Sequence, residues 1–287
     1  MIPSRLFVAI YKKAAGILKR CGLVNFYPVR VVGKFLRRRL GTTFAIVDGH
    51  KMSLGEKDAL GLSIFGVYEP LETELVKKEV KKGDVVLDIG ANIGYYTLIL
   101  ARLVGDGGKV FAFEPDPTNF ALLRKNVEAN GYNNVALVQK AVSNQTGKTR
   151  LYLNPDKAAD HRIYESGDGR QSIVIEAVRL DDYFKNFNGK IDFIKMDVQG
   201  AEGRVIQGML NLLKKNHNVK IAMEFAPNSL QKSGTAPADC LNLLTGLGFN
   251  LFEIAEQEKE IRPVDIPWLL KVYAMDKKGR TNLFCQR

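Results

Sequence analysis

The chain has 287 residues, 46% hydrophobic and 25% charged, an ordinary globular composition with room for one large domain or two small ones. Cys21, Cys240 and Cys285 are odd in number, far apart and outside any C-x-x-C, which excludes a disulfide framework and a cysteine zinc site and favours a reducing compartment. Of the net charge of +11, residues 1–50 supply +9, from ten Lys or Arg against the single acid Asp48, so the body of the chain is nearly neutral.

Residues 1 to about 40 have helical spacing. Leu6, Ile10, Ala14, Ile17, Leu18 and Cys21 share one face; Val32, Phe35, Leu36 and Leu40 form a second set among Lys34 and Arg37 to Arg39, and Pro28 separates the two. Such helices can pack on the main domain or lie on anionic lipid, giving peripheral membrane contact through residues 1–40. Nucleic acid ranks behind both, because aromatics beyond Phe26 and Tyr27 are lacking. The run 6–11 is too short for a signal sequence, and no apolar run reaches the roughly 18 residues that span a bilayer. The expected location is cytoplasmic, at most peripheral to a membrane.

The expected division is a basic extension over 1–60 and a main domain over 61–287. In the main domain the spacing predicts helices over 71–81, 93–103, 117–130, 201–213 and 238–247. It predicts strands over 85–89, 110–113, 135–142, 193–196, 221–225, 251–254 and 269–275. Residues 150–153 and 173–178 read as an inserted hairpin, about 149–178, around the polar loop 154–172. Unbroken apolar strands alternating with helices imply an α/β fold with a largely parallel sheet covered on both faces.

The first βα turn sits in VVLDIGANIGYYT, residues 85–97. Its spacing is D-x-G-x-N-x-G, on Asp88, Gly90, Asn92 and Gly94. The missing side chains of Gly90 and Gly94 would let backbone approach a ligand. Asp88 can fix the loop or accept from a ligand ammonium. Glu114 closes the next strand, 24 residues after Gly90, where a carboxylate bonds ribose hydroxyls. The fingerprint glycine that admits a pyrophosphate is Asn92 here, and no G-K-[ST] follows. One adenosine with a zwitterionic amino-acid tail fits better: S-adenosylmethionine.

VVLDIGANIGYYT, FAFEPDPTNFALLRKNVEANG and FIKMDVQGAE, in that order, resemble the FkbM-type methyltransferases, a branch of the class I S-adenosylmethionine-dependent enzymes. GVYEP (66–70) and VRLDDYF (178–184) are similar to segments of the same family. The likeness covers about residues 60–255, with a similar strand and Asn-Leu pair near Asn282. The family usually has glutamate at the position of Gln199. The resemblance implies a Rossmann-like, seven-stranded sheet ending in a reversed hairpin. It implies that Asp88, Gly90, Asn92 and Gly94 carry the methionine end of the cofactor, with Glu69, Ala91, Tyr95 and Thr97 as further cofactor positions. It places Glu114 on the ribose with Pro115 and Asp116 nearby, Ala141 and Val142 at adenine, and Asp197 beside the sulfonium. Family members methylate hydroxyls on sugars, glycolipids or polyketide natural products, so the expected partner is a small-molecule or glycan acceptor.

An attacking hydroxyl must lose its proton, and a positioned base contributes about 10² to 10⁴ in rate. Asp197 ends its strand at the required edge and is the first choice, although it could equally orient the loop 198–200. His161 in the polar loop and Glu224 at the end of its strand are the alternatives. Lys195 and Glu202 are placed to tune Asp197. Asp197, Glu202 and Glu224 form no compact oxygen cluster, so no metal is expected. DVQG stands where methyltransferases of exposed bases carry N-P-P-Y or D-P-P-Y, which argues against the main alternative, an RNA methyltransferase docking through its basic N-terminus. A non-catalytic module at the membrane surface is the third reading.

Overall fold

Asp48 and Gly49, with φ of 48° and 81°, make the turn between β1 (Phe44–Val47) and β2 (His50–Ser53). Two successive positive φ values match the turn to the twist of the strands it joins. The computed structural model describes residues 13–14, 42–55, 58, 60–275 and 279–287. The helices expected over residues 1 to about 40 therefore lie outside the described residues, apart from Lys13 and Ala14. The chain divides into two compact units, one ending at Tyr68 and one running from Glu69 to Arg287. The first holds the hairpin and the short helix α1 (Leu62–Phe65), whose first amides are capped by the Asp58 carboxylate at 2.9 and 3.0 Å.

The second unit opens with α2 (Pro70–Glu79), which has proline at its first position and the Glu256 carboxylate on the amides of Leu71 and Glu72, at 3.2 and 2.8 Å. Its sheet is built outward from β3 (Val85–Ile89), where VVLDI is buried along its last four residues. Parallel neighbours are β4 (Lys109–Phe113) on one side and β9 (Phe193–Met196) on the other. β5 (Val135–Val138) continues beyond β4, and β10 (Lys220–Phe225) beyond β9. β13 (Thr281–Gln286) lies antiparallel between β10 and β11 (Asn250–Ala255), and β12 (Glu260–Pro263) pairs with β11 at the edge. The order is β12-β11-β13-β10-β9-β3-β4-β5. Strand order reverses at β3, and in such sheets ligands bind beyond the carboxyl ends of the strands there. Core side chains on β3, β9 and β10, among them Leu87, Ile194 and Ile221, are completely buried.

Four expectations are corrected. The sheet has eight strands rather than seven, because β12 forms a further hairpin with β11. Residues 135–142 are not one strand: the Lys140 amide bonds the Val138 carbonyl at 2.9 Å, turning the chain, and β6 (Ala141–Val142) leaves for a second sheet. There β6 runs parallel to β8 (Ser172–Val178), which pairs antiparallel with β7 (Gly147–Tyr152). The helix expected over 201–213 is two helices, Glu202–Gln207 and Leu210–Lys215, broken at Gly208, where a Cβ would stand 2.1 Å from the Ser143 carbonyl oxygen. Residues 269–275 belong to a helix, Ile266–Met275, not a strand. Asp265 caps it by accepting from the Trp268 amide at 2.7 Å, and a short apolar run cannot be assigned from periodicity alone.

Candidate functional site

Between β3 and α3 (Tyr95–Val104) the chain turns through Gly90, Asn92 and Gly94, at φ of 83°, 51° and 95°. A side chain at Gly90 would stand 2.0 Å from the Asp197 carbonyl oxygen, and one at Gly94 2.8 Å from Leu123 Cδ1. The space left by the missing side chains is thus filled by the protein's own packing. This packing joins the end of β3 to the end of β9, where the Asp197 amide also donates to the Ile89 carbonyl at 2.9 Å.

The turn is braced from its far side by Glu114. One carboxylate oxygen accepts from the Asn92 amide at 2.8 Å and the other from the Asp116 amide at 2.9 Å. Each oxygen can accept a second bond, so Glu114 is both a brace and a potential ribose acceptor. Asp116 then caps α4 (Pro117–Ala129), accepting from the Asn119 amide at 2.8 Å, with Pro115 between the two acids. Beneath the turn, the Thr97 hydroxyl donates to buried Asp88. The Tyr95 hydroxyl meets Thr73 Oγ1 at 3.2 Å.

Glu69 precedes α2, at φ 43°. α2 is anchored by a buried hub that sequence reading missed. The Glu72 carboxylate pairs with Lys195 at 3.2 Å and accepts from the Tyr96 hydroxyl at 2.9 Å and from Asn282 Nδ2 at 3.1 Å. Lys195 also lies 4.9 Å from the Tyr96 ring centroid. Lys195 therefore pairs with Glu72, not with Asp197 as expected. Burial alone would discharge Lys195, but Glu72, Asp197 and Glu69 outweigh it and hold the ammonium above its ordinary pKa.

The acids of this edge are poised to receive positive charge. Burial pushes Asp88 up to about 6, with the Thr97 hydroxyl opposing. Burial likewise lifts Glu114 to about 7 against its two amide donors. Glu69 is raised well above its ordinary value, by burial first and then by Glu72. Its Oε2 is buried and has no hydrogen-bond partner among the described residues. Such a set repels a pyrophosphate and suits a cationic ligand. S-adenosylmethionine, with a sulfonium, an ammonium and ribose hydroxyls, fits it.

At the end of β9, Gln199 sits at φ 55° and turns its amide back over the sheet edge. Its Nε2 donates to Asp197 Oδ1 at 2.5 Å and to Glu224 Oε2 at 3.3 Å. Arg280 reaches the other oxygen of Glu224 at 2.9 Å. Burial first and the Asp197 charge second push Glu224 up to about 8. Glu202 is wholly buried and holds the DVQG loop through the amides of Val198 and Gly200, at 3.3 and 3.1 Å. It supports this loop rather than pairing with Asp197.

The insert closes over both turns. Tyr164 donates to the Gln199 carbonyl at 2.8 Å, and the Asn119 side chain donates to the Ala158 carbonyl at 3.2 Å. His161 accepts from the Asn154 amide through Nδ1 at 2.9 Å, while Nε2 lies 3.8 Å from Asp116 Oδ2. His161 is thus tied to the EPD turn instead of joining the Asp197–Glu224 pair. Its pKa is lowered, by burial first, with Asp116 opposing. Ala141 and Val142, expected at adenine, are buried and paired with Ala177 and Val178 in the small sheet. Gln199, Tyr164 and Arg280 were missed as members of the site. Only Gln199 left a signal, as the one departure from the family pattern. Among the described residues no group of three His, Cys, Asp or Glu side chains is arranged to hold a metal ion, and no helix is long and apolar enough to cross a membrane.

Comparison with known proteins agrees with this geometry. The model of the methyltransferase FkbM domain matches residues 88–251, more than half of the chain. The 31-O-demethyl-FK506 methyltransferase FkbM of Streptomyces tacrolimicus is 31% identical over 161 residues, 46% of this chain and 61% of that protein. The hexuronic acid methyltransferase AglP of Haloferax volcanii is 27% identical over 173 residues, 60% of this chain and 65% of that protein. The 2-O-methyltransferase NoeI of Sinorhizobium fredii is 31% identical over 173 residues, 52% of this chain and 69% of that protein. The match to the first two spans less than two thirds of their length. Asp88 and its glycine turn, Glu114, and the DVQG turn all fall inside the matched stretch, and the chain belongs to the FkbM methyltransferases, a family of S-adenosylmethionine-dependent enzymes.

Proposed function

We propose that this chain is an S-adenosylmethionine-dependent O-methyltransferase acting on a hydroxyl of a sugar, glycolipid or natural product. The observation that carries the reading is Asp197, whose backbone packs against the cofactor turn at Gly90 and whose carboxylate shares Gln199 with Glu224. One residue thus links the cofactor turn to a pair of carboxyl groups suited to accept a proton. The relatives' names, which specify a 31-O-demethyl acceptor, a hexuronic acid and a 2-O position, support an oxygenated acceptor.

When bound, S-adenosylmethionine supplies an activated methyl group on a sulfonium. Glu69, Asp88 and Asp197 would hold its positive groups, and Glu114 its ribose. The protein's remaining task is alignment, which can contribute about 7–11 kcal/mol, and removal of the acceptor's proton. Asp197 would take that proton as the oxygen–methyl bond forms. Glu224, pushed up to about 8, stands on the other side of the Gln199 amide, which donates to both carboxyl groups. The test is calorimetry with S-adenosylhomocysteine, followed by incubation with labelled methyl donor and fractionated extract. Label in glycan, lipid or small-molecule fractions supports the reading. Label in RNA, or tight NAD binding without a response to S-adenosylhomocysteine, overturns it.

A further inference from the structure

Beside the Asp197–Gln199–Glu224 edge lies a cleft of about 360 Å³, at the low end of ligand-binding pockets and of a size for one sugar ring. Gln199 and Glu224 form one side. Lys157 and Arg162 come from the insert, Lys232 from the end of the helix Pro227–Lys232, and Arg280 from the approach to β13. We propose that this cleft selects an acceptor carrying an anionic group, a carboxylate or a phosphate, beside the hydroxyl that is methylated. The inference rests on the methyl-transfer reading above and names its substrate class.

Charge bookkeeping within the cleft supports it. Four cationic side chains face two carboxyl groups, Asp160 and Glu224. Both acids are already engaged. Asp160 is gripped by Arg162 at 2.8 Å and by Arg170 at 2.9 Å, so one carboxylate serves two guanidiniums. Glu224 is held by Arg280 and Gln199. Among the described residues Lys157 and Lys232 have neither an ion pair nor a side-chain hydrogen bond. Lone lysines on a convex surface are ordinary. Two unpaired lysines lining one polar cleft, beside two arginines whose acids are already engaged, leave a surplus of positive charge there. A neutral sugar would leave that surplus uncompensated. An acidic sugar would meet it with charge-assisted hydrogen bonds.

The test uses the full chain and three probes: glucuronate, glucose 6-phosphate and glucose, titrated with and without S-adenosylhomocysteine. At least one anionic sugar is expected to bind about tenfold or more tightly than glucose, with the advantage shrinking at high salt. Preference for glucuronate assigns a carboxylate, preference for glucose 6-phosphate a phosphate. The double variant Lys157→Gln, Lys232→Gln should bring the anionic sugar to near parity with glucose. It should leave S-adenosylhomocysteine affinity unchanged, which also reports that it is folded. Equal binding of glucose and both anionic sugars, binding of none of them, or a preference that survives the double substitution overturns the proposal. If S-adenosylhomocysteine fails to bind, the methyl-transfer reading falls separately, and the sugars titrated without it still report the anion preference.

Discussion

Gln199 Nε2 lies 2.5 Å from Asp197 Oδ1 and on its other side reaches Glu224. A single neutral amide therefore separates two carboxyl groups that would otherwise repel. The resemblance to the family leads one to expect glutamate at this position, which would put a third acid between them. Replacing Gln199 by leucine removes the bridge while keeping similar bulk. A hydrogen bond to a charged group contributes about 1.5–3 kcal/mol, so single-turnover methyl transfer should fall about tenfold or more. S-adenosylhomocysteine affinity should stay near wild type, because the Gly90 packing is untouched. An unchanged rate would make Gln199 a loop residue only.

Asp197→Asn tests the base. Loss of a general base should lower the transfer rate by about two to four orders of magnitude, while S-adenosylhomocysteine, which lacks the sulfonium, keeps near wild-type affinity. Glu224→Gln, measured beside it, reports whether the second carboxyl takes part. If Asp197→Asn keeps wild-type turnover and Glu224→Gln does not, the roles are reversed.

Glu114 spans two backbone amides that fix the glycine turn and the start of α4. Glu114→Ala should therefore weaken S-adenosylhomocysteine and lower the melting temperature together, since two buried amides lose their acceptor at about 1–3 kcal/mol each. Glu114→Gln keeps one acceptor oxygen and should recover part of the stability. Weakened cofactor binding with an unchanged melting temperature would show that Glu114 acts on ribose alone.

Asp88, Glu114, Glu202 and Glu224 are raised by burial to about 6, 7, 7 and 8. Their unfolded values lie near about 4. Between the unfolded and folded values the folded protein binds more protons, so this contribution is complete below about pH 4 and is lost as pH rises through about 6 to 8. The ligand-free melting temperature should fall over that window. A cationic cofactor favours the ionised acids, so its binding should release protons, and its stabilising effect should grow with pH. Calorimetry in buffers of different ionisation enthalpy measures the release. Proton uptake, or none, would contradict the cofactor placement.

Lys195 is buried against Glu72 at 3.2 Å. Lys195→Met leaves Glu72 buried without its cation, and breaking such a pair costs about 3–5 kcal/mol. Denaturant unfolding should show a loss of that order. Lys195→Met together with Glu72→Leu should recover a large part of it. A single substitution that costs nothing would mean the pair is dispensable for seating α2.

The sequence by itself determined the α/β class, the strands of the sheet centre and the order of the motifs. The reason is that VVLDI, VFAF and FIKM are short, dominantly apolar stretches, interrupted only by Asp88 and Lys195, and a sheet covered on both faces buries such strands. It also located Asp88, Glu114 and Asp197, because each lies near or just beyond the carboxyl end of such a stretch, at a predictable edge. It did not assign residues 269–275, where a helix cap at Asp265 outweighs a strand-like apolar run, or the break at Lys140, which a single backbone bond decides. It could not show that Gly90 makes room for a carbonyl of β9, since that contact joins residues 107 positions apart. Nor could it pair Gln199 with Glu224 or Glu72 with Lys195, or bring Lys157 and Lys232 to one cleft. Those meetings depend on where strand order reverses and where the insert comes to rest. Such long-range placements leave no periodicity in the chain, so only the tertiary structure fixes the carboxyl pair and the cationic cleft beside it.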